Sequence, residues 1–154
     1  MIELCNQVLN ALSGKTLATA ESCTGGMIGS LLTAVPGSSR VYKGGIISYT
    51  NQVKEVQLGV PADMLAKFGA VSQPVAVAMA TGAMKKLGAD IAISVTGLAG
   101  PDGDDFGTPV GTVFIGYADA NFSFARKFRF EGNRQQVRVA AAEQALRIVL
   151  EMNM

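Results

Sequence analysis

The sequence predicts an α/β fold, a three-layer α/β/α sandwich around a mixed sheet with a late antiparallel hairpin. Three observations predict it. Segments with helical apolar spacing alternate with short β-type runs along the first ninety residues. Residues 90–95 form a near-continuous apolar run closed by Thr96-Gly97, as a strand covered on both faces requires. Val110–Tyr117 and Phe122–Phe130 are two β-type segments separated only by residues 118–121, which makes them a hairpin. No internal repeat, linker or low-complexity stretch interrupts the chain, so residues 1–154 read as a single domain.

Each element has its own signal. Ile2, Cys5, Val8, Leu9 and Leu12 repeat at helical spacing and stop at Ser13-Gly14. Thr16–Ala20 is the first strand. A helix from Thr24, with Gly25 and Gly26 in its first turn, carries Met27, Ile28, Leu31, Leu32 and Val35 and ends at Pro36-Gly37. Ile46–Tyr49 is the second strand, and Thr50 or Asn51 caps a helix holding Val53, Lys54, Val56 and Leu58. Pro61 suits the start of a short helix that Gly69 stops. Gln73–Leu87 is an alanine-rich helix in which Ala76, Ala80, Gly82 and Ala83 imply close packing. Asn133 caps the last helix, with Val137, Ala141, Ala145 and Val149 on its apolar side.

The composition excludes whole classes of chemistry. The chain contains no histidine, which removes Ser-His-Asp and Cys-His arrangements and histidine bases. A hydrolase built from it must use a lysine, a carboxylate, a tyrosine or water as its base. The two cysteines, Cys5 and Cys23, have no metal-ligand spacing and no disulfide framework, so no metal and no cofactor is expected. Net charge is +1. The cluster Arg126, Lys127 and Arg129 alternates with Phe124, Phe128 and Phe130, as in a two-faced strand with one side in water, and no nucleic-acid motif accompanies it. No apolar run approaches the ~20 residues of a membrane span. The N-terminal residues lack a signal-peptide pattern, so a cytoplasmic location is expected.

The stretch 17–30 concentrates the candidate chemistry. A strand that breaks at Glu21-Ser22-Cys23 and resumes as a glycine-opened helix projects its turn residues above the sheet edge, with backbone N–H groups beside them. Ser22 is then a candidate nucleophile. The same pattern also fits Thr24 as a plain N-cap and glycines that only permit close packing. In α/β sheets the ligand crevice lies beyond the strand ends, where three turns are candidates to meet: 21–26, 49–54 and 96–103.

Lys54 follows the second strand by one helical turn and reaches Ser22 if the first two strands are neighbours. A lysine base must be neutral, which needs a pKa below the ordinary ~10.4. A solvated helix lysine is the plain alternative. Tyr49 is either a proton relay or an amphipathic aromatic at the sheet rim. Glu21 either orients Lys54, acts as a base, or is a structural acid tied to backbone N–H groups. Cys23 is either a reactive thiol or a small buried hydrophobe. The loop 96–103 has the glycines and backbone donors of an anion or ring cradle, but not the P-loop spacing. Arg134 is placed to meet an anionic ligand or to lie in solvent.

Taken together, six co-linear motifs resemble the CinA C-terminal domain family over nearly the whole chain. They are Ala20-Glu21-Ser22-Cys23-Thr24-Gly25-Gly26, Pro36-Gly37-Ser38-Ser39, Gly45–Asn51 with Lys54, Gly69-Ala70-Val71-Ser72, Thr96-Gly97-Leu98-Ala99-Gly100-Pro101 and Pro109–Val113. Gly132-Asn133-Arg134 continues the match before the last helix. The family is similar to nicotinamide-nucleotide amidohydrolases of the PncC type. The resemblance implies conversion of nicotinamide mononucleotide to nicotinic acid mononucleotide and ammonia, by a metal-independent Ser/Lys acyl-enzyme route. Carried over by motif, Ser22 is the nucleophile, Lys54 the base and Tyr49 the nearby phenol. Backbone donors near Thr24, Gly25 and Gly26 would hold the oxyanion. Glu21, Asn51, Thr96, Gly97, Gly100 and Arg134 complete the expected substrate-binding set.

One departure from the family pattern bears on substrate. Relatives often carry paired glycines and then a lysine just before Pro-Val-Gly, whereas here Asp104 follows Gly103 and Thr108 precedes Pro109. Asp102, Asp104 and Asp105 disfavour a phosphate close by. The expected partner is a small nucleotide, and the alanine-rich helix 73–87 would serve as a surface for homo-oligomers. The competing functions are a non-catalytic nucleotide-binding module and a competence-linked interaction module.

Overall fold

The computed structural model describes residues 1–154, all but the loops of which form six helices and five strands, plus one short 3-10 turn at Ser38–Arg40. In chain order these are α1 (Ile2–Ala11), β1 (Leu17–Glu21), α2 (Met27–Thr33), β2 (Tyr42–Ile47), α3 (Asn51–Leu58), α4 (Ala62–Phe68), α5 (Gln73–Leu87), β3 (Ile91–Gly97), β4 (Thr112–Ala118), β5 (Ser123–Arg129) and α6 (Arg134–Met152). The sheet order is β2-β1-β3-β4-β5. β1 lies parallel to β2 and to β3, while β3/β4 and β4/β5 are antiparallel. The mixed sheet and the late hairpin are as the sequence predicts.

Strand alternation sorts side chains into two cores. Leu17, Ile91, Ile93, Val95, Val113, Ile115 and Tyr117 face one way and pack with α1, α2 and α6. Ala18, Ala20 and Ala92 face the other way and pack with Leu58, Leu65, Val75, Met79 and Ala83 of α3, α4 and α5. Two covered faces make the three layers. The small side chains on the α5 side let that helix sit against the sheet, so Ala76, Ala80 and Ala83 are fully buried within the chain. A Cβ on Gly82 would collide with the Leu58 carbonyl at the end of α3.

Two boundaries differ from expectation by three residues or more. The second strand runs Tyr42–Ile47, not Ile46–Tyr49. Gly45 belongs inside it because a side chain there would collide with the hydroxyls of Thr19 and Tyr42, which bond each other at 2.8 Å. Tyr49 therefore lies beyond the strand. The second helix starts at Met27, not Thr24. Gly25 and Gly26 have φ of +60° and +100°, a left-handed pair that only glycine adopts cheaply. They shape the turn before the helix and are not its first turn.

Candidate active site

The parallel pairing of β1 with β2 and β3 brings three strand ends to one edge of the sheet. Glu21 pairs with Ile47 and with Val95, so Ser22, Ser48 and Thr96 follow side by side. The Ser22 N–H donates to the Val95 carbonyl and the Ser48 N–H to the Glu21 carbonyl, at 2.9 and 2.8 Å. These bonds carry the ladder one residue past the strands and hold the Ser22 turn in place.

Thr50 caps α3 through its side chain, which accepts the Val53 N–H. The first turn of that helix points Lys54 back over the strand ends. Lys54 is 1% exposed, and its Nζ lies 2.9 Å from Ser22 Oγ, 2.7 Å from the Ser48 carbonyl and 3.1 Å from the Tyr49 carbonyl. Burial pulls its ammonium down to about 8, because the charged form loses its hydration. Cys23 lies next to Ser22, and burial pushes its thiol up to about 11, which keeps it protonated and a poor nucleophile.

Around this pair is a cleft of about 440 Å³. Its walls include Ser22, Cys23, Tyr49, Asn51 and Lys54, the stretch 96–100, and Arg134. The three turns expected at the crevice do meet there. Arg134 donates to the Gly100 carbonyl at 2.7 Å and to the Tyr49 hydroxyl at 2.9 Å, closing the cleft across α6. The Tyr49 phenol thus meets Arg134, while its backbone carbonyl meets Lys54. The Thr96 hydroxyl is spent on the Ala70 carbonyl at 2.8 Å.

Glu21, Thr24, Gly25 and Gly26 do not line the cleft. Glu21 is 2% exposed, and its carboxylate accepts the Thr24 hydroxyl at 2.7 Å and the Ile28 and Gly29 N–H groups at 2.9 and 3.1 Å. It is an internal cap on α2, taking the helix donors that a bound anion would otherwise use. Of the three roles open to Glu21, the structural acid is the one the geometry supports.

Sequence reasoning quotes Gly69–Val71 only as a motif, with no site role, and overlooks Phe106, both of which join the walls, and Arg138. Arg138 lies one helical turn after Arg134 and donates to the Cys23 and Thr24 carbonyls at 3.0 and 3.2 Å. The four-residue spacing of the two arginines on the last helix is the one signal that marks it. The basic strand segment is tied up locally: Arg126 pairs with Glu151 at 2.9 Å and Arg129 donates to the Val110 carbonyl. A larger, shallower groove of about 1030 Å³ between α3, α4 and α5 contains no paired nucleophile and base.

A comparison with known families places the match on nearly every residue: the CinA C-terminal domain model covers residues 2–153. The chain belongs to the CinA C-terminal domain family. It is 52% identical over 136 residues to a CinA-like protein of Gemmatimonas aurantiaca, covering 88% of this chain and 32% of that protein. It is 48% identical over 136 residues to a CinA-like protein of Desulfotalea psychrophila, covering 88% and 33%. The chain thus spans about a third of the length of these curated relatives. Among solved structures, a competence-damaged protein (CinA) superfamily member of Klebsiella pneumoniae matches with TM-score 0.95 and 36% identity, covering 97% of this chain and 95% of that one. The competence/damage inducible protein CihA of Agrobacterium tumefaciens matches with TM-score 0.95 and 37% identity, covering 99% and 95%. No helix of this CinA-family chain is long and apolar enough to cross a membrane.

Proposed function

We propose that this CinA-family chain is an amidohydrolase that deamidates nicotinamide mononucleotide through a Ser22/Lys54 pair. The observation that carries the reading is the 2.9 Å contact between Ser22 Oγ and a buried Lys54 Nζ. A neutral lysine amine has two N–H bonds and one lone pair. The Ser48 and Tyr49 carbonyls, at 2.7 and 3.1 Å, take the two N–H groups, and the lone pair is left facing the Ser22 hydroxyl. With a pKa of about 8, roughly a tenth of Lys54 is neutral at pH 7. That is enough for a general base poised near working pH.

The chemistry then follows in two balanced halves. Lys54 takes the Ser22 proton as Ser22 Oγ attacks the amide carbon, and the carbonyl oxygen becomes an oxyanion. Collapse breaks the C–N bond, with Lys54 giving its proton to the departing ammonia and leaving an acyl-Ser22 ester. Water, deprotonated by the same amine, hydrolyses the ester to the carboxylic acid and restores Ser22. The chain has no histidine, and of the bases left to it Lys54 is the one in contact with Ser22 Oγ. The cleft is roomy enough for a nucleotide, with Arg134 as its cation and the 102–105 carboxylates at its mouth.

The test is ammonia release from nicotinamide mononucleotide by wild type, Ser22→Ala and Lys54→Ala, with chelator present. Release that collapses in both variants supports the pair. Release that survives Ser22→Ala removes Ser22 as the nucleophile. Binding of the nucleotide without any release by wild type supports a non-catalytic binding module in its place.

A further inference from the structure

We infer that Arg138 is a positioning residue for this reaction: it aims the Cys23 N–H as the oxyanion donor of the nucleophile turn. The inference rests on the amidohydrolase reading above. Acyl transfer needs a hydrogen-bond donor fixed where negative charge develops, because a donor that must reorient during the reaction gives up much of its effect. The N-terminus of α2, the natural source, is closed, since Glu21 occupies the Ile28 and Gly29 N–H groups.

Donors remain in the turn itself. The Ser22 N–H is bonded to Val95, the Gly25 N–H to the Ser22 carbonyl and the Met27 N–H to the Thr24 carbonyl. The N–H groups of Cys23, Thr24 and Gly26 bond no other residue of the protein. Of these three residues only Cys23 lines the cleft, while Thr24 is fully buried. Cys23 also directly follows Ser22, so its N–H lies on the nucleophile's own peptide.

What sets the direction of that N–H is the orientation of the peptide that joins Ser22 to Cys23. In a trans peptide the N–H points opposite the C=O, so fixing one fixes the other. The Gly25 N–H holds the Ser22 carbonyl at 3.1 Å, which pins the peptide carrying the Cys23 N–H. Arg138 acts one peptide further on: its guanidinium holds the Thr24 carbonyl at 3.2 Å, on the peptide that carries the pinning Gly25 N–H, and its Nε holds the Cys23 carbonyl at 3.0 Å. Its remaining arm donates to Gln135 at 2.7 Å, which fixes the fork on α6. A lysine ammonium carries its three donors on one nitrogen and cannot reproduce the planar fork of this grip. Without Arg138 the Cys23 carbonyl has no donor and the Thr24 carbonyl keeps only the Met27 N–H, beside two glycines at positive φ. Arg138 does not itself line the cleft and reaches its wall only through the Cys23 carbonyl.

The experiment is steady-state ammonia release from nicotinamide mononucleotide by wild type, Arg138→Ala and Arg138→Lys, with melting temperatures measured alongside. Arg138→Ala is expected to lower kcat at least about tenfold, short of the 10²–10³ lost when a donor is removed outright, with KM within about twofold. The pH at which the rate turns over stays at the wild-type value, since Lys54 keeps its contacts. Arg138→Lys gives an intermediate kcat, and millimolar guanidinium ion raises the rate of Arg138→Ala only. If Arg138→Ala fails to fold, Arg138→Lys must still show the loss in kcat at constant KM. A variant that melts earlier but keeps wild-type kcat overturns the inference and leaves the amidohydrolase standing. Wild type that releases no ammonia overturns both.

Discussion

Lys54 Nζ sits 2.9 Å from Ser22 Oγ although 32 residues separate them in the chain. The approach is made by parallel pairing of β1 and β2, which puts the residues after both strands at one edge. It is completed by α3, which begins after three connecting residues beyond β2 and returns Lys54 over that edge. The local β–α connections set the direction of each side chain, and the sheet sets the distance.

Because the base must be neutral, hydrolysis should follow the ionisation of Lys54. Below about pH 8 the amine is charged in most molecules, so kcat/KM falls tenfold for each pH unit of acidification. Above that pH the rate levels off. Measured from pH 6 to 9.5, the profile should bend near 8. A profile that is flat, or that bends near pH 6, would exclude Lys54 as the base.

The same group should write itself into stability. The Lys54 pKa is about 8 in the folded chain and 10.5 when unperturbed, so between these values the unfolded chain binds more protons. Stability therefore rises with pH across that window, by on the order of 3 kcal/mol in total. Below about pH 8 both states are protonated, and the whole cost of burying the ammonium is present. Cys23 and Tyr117, whose pKa values are raised, act in the opposite direction at high pH. The difference between wild type and Lys54→Met cancels them. Denaturant titrations at pH 7.5 and 9.5 should show wild type gaining on the variant; parallel values would contradict the burial argument.

Much of this arrangement was legible in residue type and order. Missing histidines narrow the base to a lysine, a carboxylate, a tyrosine or water, and the apolar run at 90–95 marks the central strand beside which β1 assembles. Ala76, Ala80 and Ala83 announced a close contact, which turned out to be with the sheet. What was not legible depends on backbone sign or on distant partners. A glycine pair reads equally as a helix start or a left-handed turn, so α2 was expected three residues early. Glu21 had three plausible roles because its carboxylate partners are tertiary. Arg138 meets Cys23 across 115 residues, a contact no local pattern encodes.

Glu21→Gln tests the internal cap. The carboxylate accepts three hydrogen bonds, and an amide would turn one acceptor into a donor facing N–H or O–H groups. A lost, buried and charge-assisted set of this kind costs about 1–3 kcal/mol. The midpoint of urea unfolding should fall accordingly. Catalysis per folded molecule should fall less than in Ser22→Ala, because Glu21 does not touch Lys54. An unchanged midpoint would mean the carboxylate is not needed to hold α2.

Gly82→Ala should reverse the usual sign of a helix substitution. In an open helix the change stabilises by about 0.5–1 kcal/mol, since alanine loses less entropy on folding. Here the added methyl would meet the Leu58 carbonyl, backbone that cannot swing aside as a side chain would. Relief requires α3 to move off α5, and overpacking of this type costs about 1–3 kcal/mol. Leu58 lies one helical turn beyond Lys54 on the same short helix, so that movement also draws Nζ away from Ser22. The expected result is a lower melting temperature together with slower ammonia release. A variant more stable than wild type would show that α3 and α5 have slack between them, and that the position of Lys54 is set by the Ser48 and Tyr49 carbonyls alone.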